Sequence, residues 1–200
     1  MPTLYSKVSV EPTAEPITLK DAKTFLKVDN NDEDSLITIL IQAARETIEQ
    51  RTNRAMITQT RVMKMDYFPR WISAEGWSQI TLPFAPVSSL TSIYYYDTTD
   101  ANTLLSSSLY WTDFDSNIPR VIIKDSWPDT YNRPNAVAVT YVCGYGASGT
   151  SVPKPLIDSM YLVLGHLYEN REQVGDVRYE LPFGVDHLLS PYVLEHPVIY

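Results

Sequence analysis

Between Asp34 and Arg51 the apolar residues Leu36, Ile37, Leu40, Ile41, Ala44 and Ile48 return at spacings of three and four, with Gln42, Arg45, Glu46 and Glu49 on the opposite side. That period is helical, and a helix carrying such a stripe must cover it with another apolar helix face. Arg45 and Glu49 stand four apart, where an exposed pair adds about 0.2–0.5 kcal/mol, so solvation is their expected role. Just upstream, the acids of Asp29-Asn30-Asn31-Asp32-Glu33-Asp34 suit the positive end of the helix dipole. As calcium ligands they lack the glycine and the spaced glutamate of an EF-hand loop. A shorter helix over 18–28 comes first, with Thr18 as N-cap, Asp21 three residues on, and Leu19, Ala22, Phe25 and Leu26 pointing one way.

A second apolar helix face lies in the stretch from Pro153 to Tyr192. Pro153 and Pro155 pre-set a first helical turn, because a proline there gives up an N–H that has no partner anyway. Leu156, Ile157, Met160, Val163, Leu164, Leu167 and Tyr168 then share one face, which predicts a helix over 155–173. A polar break follows, then a short helix over 184–190 that ends at Pro191.

Between these helices, over 57–146, the period falls to two. Gln59 to Met65 alternates, Ile80-Thr81-Leu82 is short, and Val87 to Tyr96 is rich in β-branched residues and tyrosine. Asp97 to Asn102 reads as a turn, and Tyr110-Trp111-Thr112, Arg120 to Ile123 and Ala136 to Cys143 supply further strands. Alternation in the last of these is weak, which predicts burial on both faces. The fold class is therefore α+β, mainly α: a small helical bundle with an antiparallel β region inserted between the second and the long C-terminal helix. Residues 1–16, with Pro2, Pro12 and Pro16 and no period, read as an extended arm that lies on a neighbour or stays mobile.

Composition excludes several functions. A chain of 200 residues with 44% hydrophobic residues buries a sizeable core. No run reaches the roughly 18–20 apolar residues of a membrane helix and the start lacks an apolar signal core, so a soluble, intracellularly made protein is expected. The single cysteine, Cys143, reads as a small buried hydrophobe in a reducing compartment. A net charge of -8 argues against a dedicated duplex-DNA reader and favours protein partners.

Catalytic patterns are sparse. Gly144-Tyr145-Gly146 follows a strand, but the next residues have neither the lysine of a phosphate loop nor dinucleotide spacing, so the segment reads as a flexible turn. His166 and Glu169 share a helix face at i, i+3, the geometry of a metal or proton-transfer pair, and with His187 they define the alternative of a metal-dependent hydrolase. No spacing forces those three to converge, and the serines have no nucleophile-elbow glycines. The expectation is a non-enzyme with no cofactor and no metal.

Three groups of residues carry a resemblance. Glu15-Pro16-Ile17-Thr18-Leu19-Lys20-Asp21-Ala22-Lys23, Leu26-Lys27-Val28-Asp29 with Asp32-Glu33-Asp34, and Ala43-Ala44-Arg45-Glu46 with Thr52-Asn53-Arg54-Ala55 form the first. Leu82-Pro83, Pro86-Val87, Trp127-Pro128 and Gly144-Tyr145-Gly146 form the second. Leu167 to Glu172, Leu181 to Val185 and Leu188 to Tyr192 form the third. In this order they resemble the head-tail connector (adaptor) proteins of tailed bacteriophages, over roughly Glu15 to Tyr192; the arm and the tail Val193-Leu194-Glu195-His196-Pro197-Val198-Ile199-Tyr200 depart from the pattern.

The resemblance implies a structural virion protein of the neck, made in the host cytoplasm. It implies a homo-oligomeric ring, typically of twelve subunits, that binds the portal protein above and a head-closure (stopper) or tail-completion protein below. Genome DNA passes through the channel without sequence-specific binding, and acidic walls that repel phosphate agree with that. Residues 17–192 would be the connector domain and 193–200 a docking tail. Read on its own, the apolar, β-prone tail suits a segment that docks on a partner, which makes Tyr192, Val193, Leu194, Val198, Ile199 and Tyr200 the portal-docking candidates. Ring contacts are heterologous, so two different surfaces must match. Tyr94, Tyr95, Tyr96, Trp111 and the loop around Trp71 and Trp77 are the aromatic candidates for them, with a place in the core as the alternative. A tail-end or closure role in the same virion is the remaining alternative.

Overall fold

The computed structural model describes residues 5–70, 76–170 and 183–194. Helix α1 (Leu19–Leu26) starts where Thr18 accepts the Asp21 backbone N–H at 3.1 Å and donates its hydroxyl to the Asp21 carboxylate at 2.6 Å. It stops where Lys27 turns left-handed, at φ 57°. Helix α2 (Asp34–Thr52) ends in the same way at Asn53, φ 53°, a residue type that tolerates that conformation. Helix α3 (Lys154–Glu169) begins after Pro153, as the prolines require, and α4 (Phe183–Leu189) leads into a short 3₁₀ turn at Ser190–Tyr192. The expected extension of α3 to residue 173 runs into 171–182, which lie outside the described residues.

These helices belong to one compact unit, made of residues 13–57, 145–170 and 183–193. Its core pairs two stripes: Ile37, Ile41, Ala44 and Ile48 of α2 against Leu156, Met160, Val163 and Leu164 of α3, closed by Val185 and Leu189 of α4. Each such side chain contributes about 1.5–3 kcal/mol by leaving water. Gly149, in the turn before α3, lies so close to Pro16 that a Cβ built on it would stand 1.8 Å from the Pro16 carbonyl oxygen.

One expectation about α2 is overturned. Arg45 and Glu49 are not on a solvated face: they are 2% and 3% exposed. Arg45 donates from Nε to Glu15 at 2.8 Å and from Nη1 to Glu49 at 3.1 Å, while the other Glu49 oxygen accepts the Met56 backbone N–H at 2.7 Å. Burial works against the Arg45 charge, but the hydrogen bond to Glu15 and the surrounding carboxylates outweigh it and hold its pKa above the ordinary value. The buried arc of α2 is wider than its apolar stripe, because Glu15 folds back onto it.

The second unit holds the strands, in residues 5–12, 58–70, 76–144 and 194. Five antiparallel strands form one sheet in the order β1 (Tyr5–Val10), β2 (Gln59–Met65), β8 (Val137–Cys143), β4 (Val87–Tyr96) and β5 (Asn102–Leu104). A three-stranded antiparallel sheet runs β3 (Gln79–Thr81), β7 (Arg120–Ile123), β6 (Tyr110–Asp113). The fold is thus α+β, with seven of the eight described strands lying between α2 and α3 in sequence.

The opening segment is extended, but Tyr5–Val10 is tied into the sheet as an edge strand beside β2, in register Tyr5 with Lys64 and Val8 with Arg61. Strand β8 does alternate, contrary to expectation: Val137, Val139, Tyr141 and Cys143 are buried, and Ala138, Thr140 and Val142 only half-buried. Cys143 is a buried free thiol. On the same sheet Arg61 is 7% exposed, its guanidinium 3.4 Å from the centre of the Phe84 ring, with Ser6 Oγ at 3.3 Å and Gln59 Oε1 at 3.4 Å as hydrogen-bond acceptors. Beside it the Tyr141 hydroxyl donates to the Pro83 carbonyl at 2.8 Å.

Candidate functional site

Three stretches far apart in sequence meet where the chain leaves the helical unit. The left-handed Asn53 ends α2 and turns the next residue inward, so that the Arg54 N–H reaches the Glu49 carbonyl at 3.2 Å. The Arg54 side chain is largely buried, and its Nε donates to the Tyr192 backbone carbonyl at 2.7 Å. Burial pushes up the pKa of the Tyr145 hydroxyl, and the positive charge of the nearby Arg54 works against that shift. Tyr145 is fixed in turn by its own N–H, which donates to the Met56 carbonyl at 3.2 Å. Both Tyr145 and Tyr192 pack on the helical core. Of the docking candidates, Tyr192 is therefore half-buried in its own unit, Val193 is 46% exposed, and Leu194 is half-buried. Val198, Ile199 and Tyr200 lie outside the described residues.

The aromatic candidates divide by exposure. Tyr94 is 40% exposed and faces Leu104 across the β4–β5 pair, itself 54% exposed. Tyr95 packs on Phe68, ring centres 5.6 Å apart, and the Tyr96 ring lies beneath the Arg133 guanidinium at 3.9 Å. Trp111, on the edge strand β6, is 54% exposed, with Lys124 Nζ 5.6 Å from its ring. Trp77 is exposed and Trp71 lies outside the described residues. Leu104 escaped the sequence reading although its neighbour holds the signal: of the adjacent pair Leu104-Leu105 on an extended chain, one side chain points in and the other must point out.

Among the described residues the three hydrolase candidates form no metal-holding group. His166 faces Asn170, whose Nδ2 lies 3.3 Å from His166 Nδ1, while Glu169 is exposed at the end of α3 and His187 is exposed on α4. Among the described residues no group of three or more His, Cys, Asp or Glu side chains could hold a metal ion. The acidic run before α2 is used locally: Lys23 bridges Asn31 at 2.7 Å and Asp34 at 2.6 Å, and Glu33 accepts the Tyr168 hydroxyl. Among the described residues no helix is long and apolar enough to cross a membrane.

The chain was compared with known proteins. Residues 16–103 match the family model of the phage gp6-like head-tail connector proteins, so the resemblance read from the sequence is found over that stretch. No curated protein matches the chain. Among solved structures, a chain of the neck of an empty GTA particle computed with C6 symmetry is 22% identical, with a TM-score of 0.76, over 98% of this chain and 97% of the other. A chain of the virion of a native gene transfer agent (GTA) particle is 21% identical, with a TM-score of 0.75, over 96% and 97%. One from the neck of a native GTA particle computed with C12 symmetry is 22% identical, with a TM-score of 0.71, over 98% and 97%.

Proposed function

From the match of residues 16–103 to the phage gp6-like head-tail connector family, we propose that this chain is a structural subunit of the neck of a tailed-phage-like particle. Twelve copies close into a ring that binds the portal protein, receives a head-closure or tail-completion protein on its other side, and leaves a channel for the genome. The observation that carries this reading is the agreement of fold along 98% of the chain with a chain of a particle neck. The C6 and C12 symmetries of the matched necks support a ring, and the net charge of -8 suits a conduit that does not grip DNA. The protein acts by assembly, not catalysis.

Two surfaces serve the ring in this reading. A ring needs unlike patches on each subunit, and exposed aromatics are suited to them because they bury much area at low entropic cost. Tyr94 with Leu104, and Trp111 on the edge of the other sheet, are the exposed members of the aromatic set, with Tyr95 and Tyr96 as their supporting neighbours. Negative-stain imaging of the purified chain, alone and mixed with portal protein, is expected to show closed rings in the mixture; featureless monomers in both samples overturn the reading. Deleting residues 193–200 is expected to abolish portal binding while far-UV circular dichroism stays unchanged. Full-affinity binding by the truncated chain refutes the tail's part in it.

A further inference from the structure

Strand β1 reaches its sheet by a different route from the other strands. The other seven described strands lie between α2 and α3 in sequence, whereas Tyr5–Val10 precedes α1. Residues 11–14 join it to Glu15, which accepts from Arg45 at 2.8 Å. Its hold on the sheet comes from the backbone and one hydroxyl. Lys7, Ser9 and Val10 are exposed and Ser6 and Val8 half-buried, so little side-chain surface leaves water with the strand. The main-chain ladder to β2 sets the register, Tyr5 with Lys64 and Lys7 with Val62. Ser6 Oγ accepts from Arg61 Nε at 3.3 Å and lies 3.4 Å from the Tyr141 hydroxyl oxygen, whose own proton goes to the Pro83 carbonyl. The β2 edge thus carries its recognition groups in place: a row of N–H and C=O groups, and a buried guanidinium that donates to an oxygen. Any copy of Tyr5–Val10 satisfies them equally well.

We propose that β1 is exchanged in the assembled ring: each copy lays Tyr5–Val10 on the β2 edge of the next copy instead of on its own. This rests on the reading that the chain forms a ring. A ring needs two unlike surfaces that fit each other, and every copy must offer both. Strand β1 and the β2 edge are such a pair, and their fit is displayed within the chain. The same hydrogen bonds form in either arrangement, so exchange gives up none of them and adds a link to the neighbour. A short hinge favours exchange, because folding an element back over few residues is the harder course, and here the hinge is residues 11–14. The outer edge of β1 carries the exposed Lys7 and a register shift between Val8 and Val10, devices that keep a further strand from pairing. Exchange therefore ends with one strand per neighbour and does not run on into an aggregate.

The test uses the full chain carrying Lys7→Cys and Val62→Cys, which stand opposite each other across the pair. The native Cys143 is buried and does not compete. The variant is mixed with portal protein, oxidised and run on a denaturing gel without reductant. Exchange links chain to chain, so most of the protein should form a ladder of covalent multimers; a retained β1 leaves every link within one chain. Assembly with about a tenfold excess of parent chain should cut the linked fraction roughly tenfold, since a variant flanked by parent copies has no cysteine to meet. Should the first pair fail to fold, Tyr5→Cys with Lys64→Cys reads the same ladder two residues along. Links confined to single chains, links unmoved by dilution, or no link at all overturn the proposal. Electron microscopy of the same samples separates the two readings. Rings whose links lie within single chains keep the ring and remove the exchange, and a parent that forms no ring with portal protein removes both.

Discussion

In the helical unit the most deeply buried arginine among the described residues is Arg45, met by Glu15 at 2.8 Å and Glu49 at 3.1 Å. In the β unit it is Arg61, with no ion-pair partner among the described residues; it rests 3.4 Å from the Phe84 ring and donates to the neutral oxygens of Ser6 and Gln59. Both are more than nine-tenths buried. The difference teaches where each charge is at risk. Around Arg45 the charges depend on one another, so removing the guanidinium takes the cation from Glu49, whose side chain is 5% exposed. The groups that hold Arg61, the Phe84 ring and the oxygens of Ser6 and Gln59, are neutral, so its removal leaves no charge behind among them.

The largest expected effect follows from that dependence. Arg45→Met strands the buried Glu49 carboxylate and should cost about 3–5 kcal/mol in chemical denaturation. Adding Glu49→Gln, which removes the stranded charge but can still accept the Met56 N–H, should recover part of the loss. A single variant within about 1 kcal/mol of the parent would mean that water already solvates the cluster. Next comes Tyr141→Phe, which takes the hydroxyl from the Pro83 carbonyl and should cost about 1–2 kcal/mol. Arg61→Met should cost less still, about 1 kcal/mol or under, because losing the ring contact and two long hydrogen bonds is offset by no longer burying a charge. A loss equal to that of Arg45→Met would erase the contrast.

The smallest effect is set by pH. Asp97, in the β4–β5 turn, accepts from the Thr99 hydroxyl and N–H, the Ala101 N–H and the Thr103 hydroxyl, and these hold its carboxyl down to about 2. A pKa lowered in the folded state contributes stability that is present above the ordinary carboxylate value and lost as pH falls from there through about 2. Melting curves between pH 5 and pH 2, on the order of one titration range, should therefore flatten in Asp97→Asn relative to the parent. Parallel curves would show that the turn is indifferent to this charge.

Much of the fold was legible because it is local. Thr18 and Asp21 announce a cap, the α2 stripe announces a buried face, and Gln59 to Met65 alternates as it does in the sheet. What escaped depends on contacts between distant residues. Arg45 looks solvated until Glu15, thirty residues away, is known to lie over it. Tyr5–Val10 has no signal strong enough to stand against its flanking prolines, and its place is set by pairing with β2. The candidate site divides the same way. Exposed Tyr94 and Trp111 were identifiable as aromatics, but Tyr95 and Tyr96 gave no hint that Phe68 and Arg133 would occupy them. The meeting of Arg54, Tyr145 and Tyr192 spans 138 residues between its ends, and no spacing rule reaches that far.

Gly149 has a consequence for how this protein would look under mutation. Any side chain there drives into the Pro16 carbonyl oxygen, 1.8 Å from where its Cβ would stand, and so displaces the backbone next to Glu15. Glu15 is a partner of Arg45, so the disturbance passes directly into the buried charge cluster. A saturation screen scored by particle assembly would return Gly149 as one of its least tolerant positions, ranked alongside residues that touch a partner. Its importance there would be that of a vacancy: the chain needs that volume to be empty, and selection would guard an absence as closely as a contact.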